Sequence, residues 1–108
     1  MTPGNYDGRA LINGKRVGAA DGQLFDCISP VDGKVLTQVA RCGAADVDAA
    51  VSAARAAFDD GRWSGMAPAQ RKRVMIRFAD LLLQHGDELA MTETLDMGKP
   101  VKYARGVD

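Results

Sequence analysis

From Ala44 onward, the chain carries apolar side chains on one face of successive helices, and this pattern constrains the fold more than any other. The spacing of three and four residues is typical of an amphipathic helix. The first stripe consists of Val47, Ala50, Val51, Ala54 and Phe58. The second consists of Val74, Phe78, Leu81 and Leu82. Such faces have to be buried against another layer. We expect that layer to be a sheet that this chain does not itself supply.

Glycine and proline residues set the limits of the first two predicted helices. The first spans about 44–60 and ends before Gly61, which suits the left-handed position that follows a helix. The second spans about 68–85 and begins at Pro68, because the first helical position needs no N–H donor. A run of basic residues on this second helix is interpreted as a solvated face, not as a phosphate site.

The stretch ETLDMGKP predicts a corner between two further helices. A third helix spans about 87–97 and ends at Gly98, and Pro100 opens a fourth helix that the sequence cuts short. Asp96 lies in the last turn of the third helix, where the helix dipole disfavours a negative charge by about 0.3–1 kcal/mol. Lys99, an arginine or a bound cation could offset it, and the spacing alone leaves these alternatives open.

Residues before Ala44 have the period of strands, and they predict β-hairpins over about 10–41. Asn13-Gly14 is the pair that a type I′ turn prefers, because both central residues need a positive φ. Asp32-Gly33 supplies turn chemistry between a second pair of strands. The alternation along 35–40 predicts a ribbon with one face on another surface. The predicted fold class is therefore α/β, with N-terminal hairpins followed by three to four helices.

Composition narrows the functional classes. The 108 residues suffice for one small domain, and 14 basic residues balance 14 acidic ones, which gives no electrostatic case for nucleic acid or an anionic membrane. No apolar run approaches the ~20 residues that span a bilayer, and the N-terminus lacks the pattern of a signal peptide. Two cysteines without a CxxC motif favour a reduced, cytoplasmic protein in which Cys27 and Cys42 are buried thiols, and the alternative is a Cys27–Cys42 disulfide.

No assembled catalytic centre can be recognised in the sequence. His85 is interpreted as a surface or helix-capping residue, and the serines lie outside a nucleophile-elbow context. Neither a P-loop nor a Gly-x-Gly-x-x-Gly motif is present, and no metal-ligand cluster is apparent. Cys42 precedes the first helix, where a thiol pKa can be lowered, so it is the one candidate for a reactive thiol.

Four segments of the chain together resemble a known family. In order, they are INGK, ADGQLFDCISPVDGKVLTQVA, ADVDAAVSAARAAFDDGRWS and PAQRKRVMIRFADLLLQHGDELAMTETLDMGKP. They resemble the N-terminal region of the NAD(P)-dependent aldehyde dehydrogenase superfamily, from about Leu11 to the last residue. In style they are most similar to the branch that oxidises γ-glutamyl-γ-aminobutyraldehyde.

The resemblance implies that residues 1–108 are the N-terminal fragment of an α/β enzyme, an incomplete part of its nucleotide-binding domain. Such an enzyme oxidises an aldehyde to a carboxylic acid with NAD(P)+, and at full length we expect a homo-oligomer. The family's catalytic and nucleotide-binding residues lie downstream, so neither Cys27 nor Cys42 becomes the catalytic thiol. We expect no catalytic or cofactor-binding residue here and an inactive chain. The alternative is a stand-alone interaction or oligomerisation module derived from this fold.

The resemblance also implies a partial site for a monovalent cation, K+ or Na+. The positions that match the family's ligands are the carboxylate of Asp96 and the backbone oxygens of Cys27 and Ile28, because a hard cation prefers oxygen. The chain departs from the family pattern at Ser29, where asparagine is usual. It departs again at Ala67, where serine or threonine would cap the second helix.

Overall fold

The computed structural model describes residues 6–106 as two hairpins followed by four helices, which confirms the predicted α/β class. The strands are β1 (Ala10–Ile12), β2 (Lys15–Val17), β3 (Leu24–Ile28) and β4 (Val35–Ala40). The helices are α1 (Ala44–Asp59), α2 (Pro68–Gln84), α3 (Gly86–Met97) and α4 (Val101–Gly106). Residues 107 and 108, which the sequence assigned to the fourth helix, lie outside the described part.

The chain divides into two compact units, a boundary that the sequence did not indicate. Unit 1 contains Thr37–Met66 and the residues up to Cys27. Unit 2 contains Ile28–Leu36 and the residues from Ala67 onward. The β3–β4 hairpin contributes its open end to unit 1 and its turn to unit 2.

The first hairpin of unit 1 forms as the sequence predicts. Strands β1 and β2 are antiparallel, with Leu11 opposite Arg16. Asn13 has φ 52° and Gly14 has φ 73°, the two positive values that a type I′ turn requires. Because that turn twists in the same sense as the strands, it fixes the register of this short ribbon.

Helix α1 of unit 1 presents two adjacent faces with different surroundings. Its alanine face, formed by Ala50, Ala53 and Ala57, is half-buried and lines the same concavity as Leu11 and Ile12 of β1. The neighbouring face carries the larger apolar residues. Their exposed fractions are 55% for Val47, 61% for Val51 and 64% for Phe58. The hairpin therefore packs against small side chains and leaves the large ones uncovered.

Asp46 ties the start of α1 to the loop that follows β2. This carboxylate is buried, with one oxygen accepting a hydrogen bond from the Ala20 N–H at 2.9 Å and the other from the Gly43 N–H at 2.9 Å. Gly43 is the N-cap residue, so Asp46 satisfies an N–H that a helix start leaves free. The sequence alone indicates only that an acid in this turn interacts favourably with the helix dipole.

Three helices make up most of unit 2. Helix α2 begins at Pro68 behind Ala67, which provides no side-chain cap, as its residue type implied. His85 both ends α2 and precedes α3, and its Nδ1 lies 3.2 Å from a Glu88 carboxylate oxygen. Helix α4 packs on α3, and an ion pair of 2.9 Å joins Arg105 Nε to Asp87 Oδ1.

The buried apolar residues of the described chain are all alanines, namely Ala19, Ala40, Ala90 and Ala104. No large side chain among residues 6–106 is fully buried. Burial also does not alternate along β4, where Leu36 and Thr37 are both half-buried, so the expected one-faced ribbon is not observed. Among residues 6–106, no second layer covers the large apolar side chains. The segment before β1 contacts β4 instead, since Thr37 Oγ1 donates to the Tyr6 carbonyl and the Ala40 N–H donates to the Gly8 carbonyl.

We predict that Asp46→Ala destabilises the start of α1 by about 1–3 kcal/mol, because two backbone N–H groups lose their acceptor. Amide hydrogen exchange should show faster exchange at Ala20 and Gly43. Asp48→Ala is the matched control, since Asp48 is an exposed acid in the same helix. Equal protection of both amides in the two variants would contradict the assigned role.

Candidate functional site

The candidate site lies at the corner between α3 and α4. Gly98 has φ 80°, and its N–H donates a hydrogen bond of 3.0 Å to the Thr94 carbonyl, so it ends α3 in the predicted left-handed conformation. The Pro100 carbonyl accepts bonds from the N–H groups of Tyr103 and Ala104 at 2.9 and 3.3 Å. Helix α4 therefore begins at Val101, one residue later than expected, and Pro100 precedes the helix instead of being its first residue.

The turn after β3 lies against this corner within unit 2. A Cβ placed on Gly98 would be 3.4 Å from Pro30 Cγ. The turn itself is held by the buried Ser29, whose N–H donates to the Lys34 carbonyl at 2.8 Å and whose carbonyl accepts from the Gly33 N–H at 3.0 Å. The residues after Ile28 and those after Asp96 are therefore neighbours.

Charged groups lie both at this corner and in the turn that follows β3. Lys99 Nζ lies 3.8 Å from Glu93 Oε1, and both side chains are partly buried. In the turn, the backbone N–H of Lys34 donates to Asp32 at 3.1 Å, which together with the Ser29 side chain lowers the pKa of Asp32. Asp96 is exposed on the last turn of α3. The Lys99 ammonium, one of the expected counter-charges for Asp96, forms an ion pair with Glu93.

The oxygen atoms available as ligands determine which kind of cation these residues could bind. Ile28 and Asp96 both belong to unit 2, whereas Cys27 is the last residue of the adjoining segment of unit 1. Residues 6–106 contain no group of three or more His, Cys, Asp or Glu side chains placed to hold a metal. A cation here would therefore depend on one carboxylate and on backbone carbonyls, a donor set that suits K+ or Na+ better than a transition metal.

The two thiols do not form a catalytic pair. Cys27 and Cys42 are not joined by a disulfide, and Cys27 is half-buried whereas Cys42 is exposed. The expectation of two buried thiols is therefore wrong for Cys42, because it lies in the open loop before α1. His85 is exposed at the junction of α2 and α3, as predicted, and its Nδ1 is within hydrogen-bond distance of Glu88.

One polar atom near the corner was not indicated by the sequence. The Thr94 hydroxyl is the buried side-chain atom without a hydrogen-bond partner in the described part of the chain. Leaving such a group unsatisfied costs about 1–3 kcal/mol. No sequence pattern could have revealed it, because burial of this hydroxyl depends on how α3 packs.

In the described part, no helix combines the length and apolarity needed to cross a bilayer.

Comparison with known proteins gives one consistent result. The sequence profile of the Aldehyde dehydrogenase family matches residues 17–108. Aminoacetaldehyde dehydrogenase of Pseudomonas aeruginosa is 46% identical over 100 residues, which are 93% of this chain and 20% of that protein. The putative aldehyde dehydrogenase DhaS of Bacillus subtilis is 51% identical over 100 residues, with the same coverage.

Solved structures agree with the sequence comparison. The P. syringae indole-3-acetaldehyde dehydrogenase, in complex with NAD+ and IAA, superposes with a TM-score of 0.90 at 60% identity, covering 94% of this chain and 20% of that one. The γ-glutamyl-γ-aminobutyraldehyde dehydrogenase of Burkholderia cenocepacia gives a TM-score of 0.92 at 54% identity, covering 94% and 21%. The chain therefore spans about a fifth of the length of the relatives it matches.

We predict opposite effects of alanine at two glycines of unit 2. Gly98→Ala should destabilise the unit by about 1–2 kcal/mol, because a left-handed alanine is strained. Gly86→Ala should stabilise it by up to about 1 kcal/mol, because Gly86 is helical and a Cβ there meets no atom within 4 Å. Urea titration of the helical circular dichroism signal measures both. A neutral or stabilising effect of Gly98→Ala would contradict the role of Gly98.

Proposed function

The chain belongs to the aldehyde dehydrogenase family, and from this membership we propose that it forms the N-terminal segment of an enzyme that oxidises an aldehyde to a carboxylic acid with NAD(P)+. The observation that carries the proposal is the close superposition at 60% identity onto an aldehyde dehydrogenase solved with NAD+. An aldehyde is the proposed substrate, and a cytoplasmic homo-oligomer is the proposed assembly.

We propose that residues 6–106 carry no step of this oxidation alone. The family reaction needs a thiolate nucleophile, hydride transfer to the nicotinamide and hydrolysis of a thioester. Cys27 lies half-buried at the end of a strand, and Cys42 lies exposed in a loop. The sequence also has no glycine-rich strand–helix segment for a dinucleotide, so these residues do not fit the cofactor.

A monovalent cation is the second part of the proposal. The Asp96 carboxylate and the backbone oxygens of Cys27 and Ile28 would bind K+ or Na+, and the cation would offset the charge of Asp96 at the negative end of α3. The contact between Gly98 and Pro30 supports this arrangement, because it holds the end of α3 next to the turn that follows β3.

The alternative function is a stand-alone interaction or oligomerisation module. The exposed apolar face of α1 is the observation that favours it, because such faces mark interfaces. A monomer that unfolds cooperatively would support an independent module. Aggregation or a broad unfolding transition would support the N-terminal segment of an enzyme.

The proposed function predicts an active chimera. Residues 6–106 should replace the corresponding segment of the P. syringae enzyme with NADH formation from indole-3-acetaldehyde retained within about tenfold, since large interfaces tolerate matched apolar exchange. The chain alone should form no NADH with propanal. A folded but inactive chimera, or turnover by the isolated chain, would contradict the proposal.

The cation site predicts an altered salt response in the same chimera. Asp96→Ala should weaken the dependence of activity on K+ or Na+ far more than it changes the KM for the aldehyde, because the carboxylate binds the ion and not the substrate. Asp80→Ala is the matched control, because Asp80 is an exposed acid on α2 of the same unit. An unchanged K+ and Na+ response in the Asp96 variant would exclude the site.

A further inference from the structure

The turn between β1 and β2 exposes Asn13-Gly14, the one asparagine–glycine pair in the sequence. Asparagine is a chemically labile residue, and a following glycine makes it more so, because no side chain shields the next backbone nitrogen. A Cβ placed on Gly14 would meet no atom within 4 Å, so the space beside this nitrogen is open. Within residues 6–106, no group holds the Asn13 side-chain amide by a hydrogen bond.

The backbone of this turn is one small rearrangement away from a reactive geometry. Asn13 has φ 52°, and type I′ and type II′ turns both require a positive φ at this position. The two turns differ by a flip of the peptide plane between Asn13 and Gly14, which reverses the sign of φ at Gly14, and glycine adopts either sign. In the type II′ form, the Gly14 nitrogen lies next to the Asn13 Cβ. Both turns close a two-residue hairpin, so β1 and β2 stay paired during the flip.

The chemistry available to this pair is deamidation through a cyclic imide. The Gly14 nitrogen attacks Asn13 Cγ, so that an N–Cγ bond forms and the Cγ–Nδ2 bond breaks. Ammonia leaves with the proton that the Gly14 nitrogen loses. Water then opens the five-membered succinimide at one of its two carbonyls. Opening at Cγ gives aspartate, and opening at the Asn13 backbone carbonyl gives isoaspartate. The net reaction consumes one water and releases one ammonia, with no oxidation or reduction.

The aspartate–glycine pairs of the chain can form the same imide, but their side chains are held. In each pair, a carboxylate oxygen accepts a hydrogen bond of 2.9–3.1 Å from the backbone N–H two residues further on. These pairs are Asp7-Gly8, Asp21-Gly22, Asp32-Gly33 and Asp60-Gly61. Hydrogen bonds from the guanidinium groups of Arg9 and Arg62 also lower the pKa of Asp7 and Asp60. An ionised carboxylate is a poor electrophile, so Asn13 is the more reactive position.

The two products of Asn13 differ in how they fit the hairpin. Ile12 and Lys15 face each other on either side of a loop of two residues. Aspartate keeps the normal main chain, and Asp-Gly is itself a preferred type I′ pair. Isoaspartate adds one carbon to the main chain inside this loop, which the two-residue turn has no room for. Leu11 and Ile12 line the concavity that β1 shares with the alanine face of α1, so loss of pairing also removes this ribbon from α1.

We propose that Asn13 is a site of spontaneous deamidation, and that its isoaspartyl form separates β1 from β2 and from the alanine face of α1. The inference concerns unit 1 alone and does not depend on the proposed oxidation of aldehydes. Either product replaces a neutral amide by a carboxylate. The modified chain therefore carries one negative charge more than the unmodified chain, whose formal net charge is zero.

Incubation of the 108-residue chain in mildly alkaline buffer tests the site, with ion-exchange separation and peptide mapping as the readout. Asn13 should convert at least about tenfold faster than any aspartate–glycine pair isomerises, because ammonia leaves an amide more readily than hydroxide leaves a carboxyl group. Asn13→Gly is the matched control, since Gly-Gly also suits a type I′ turn and has no amide to lose. An Asn13 that stays intact while an aspartate isomerises would overturn the proposal. So would an acidic form that appears equally fast in the Asn13→Gly variant.

Amide hydrogen exchange tests the separation of the strands. The amides of Ile12 and Lys15 should exchange at least about tenfold faster in the isolated isoaspartyl form than in the unmodified chain. The Asn13→Asp and Asn13→Gly variants should keep the protection of the unmodified chain, because both retain a preferred turn pair. Equal protection in the isoaspartyl form, or no protection of these amides in the unmodified chain, would show that the modification does not open the ribbon. Neither result bears on the proposed oxidation, which the chimera tests separately.

Discussion

The burial of large apolar side chains is the constraint on which the rest of this structure depends. Each amphipathic helix needs a second layer over its apolar face. In residues 6–106, the contacts that form inside the chain bury alanines, and the large side chains of α1 remain open. A domain of this size draws its stability from burying such groups, at about 1.5–3 kcal/mol for each side chain. The large apolar side chains of α1 therefore lack a covering layer within residues 6–106.

Hydrogen bonds and ion pairs stabilise the local backbone geometry in regions where few apolar side chains are buried. Asp46 accepts hydrogen bonds from two backbone N–H groups that are 23 residues apart in the chain, at Ala20 and Gly43. Arg105 and Asp87 join α4 to α3 in the other unit. The Asn13-Gly14 turn fixes the first ribbon through backbone conformation alone. Each of these contacts sets an angle or a register, and none of them replaces a core.

The corner between α3 and α4 shows how local geometry and function meet. Gly98 turns the chain in a conformation that disfavours any side chain, and it thereby brings Pro30 close to the end of α3. The same corner carries the carboxylate proposed to bind a cation. Because a cation ligated by carbonyls depends on backbone position, the glycine and the turn matter to the proposed site as much as Asp96 does.

The sequence by itself determined the order of hairpins and helices, the turn at Asn13-Gly14, the stop at Gly98, and the family. These follow from residue type and spacing, since positive φ values, missing N–H groups and apolar periods are local properties. It also indicated that the helical stripes lacked a covering sheet. The proposed ligands Cys27, Ile28 and Asp96 came from resemblance, because backbone oxygens leave no mark in residue type.

Only the tertiary structure decided which side chains are covered. The burial of Asp46 and of the Thr94 hydroxyl, the exposure of Cys42, and the choice of alanines as the packed face of α1 depend on contacts between residues distant in the chain. A single helix offers several faces, and its sequence ranks them only by hydrophobicity. The face that is buried is the one that a neighbouring element can reach, and that is settled by the three-dimensional arrangement of the backbone.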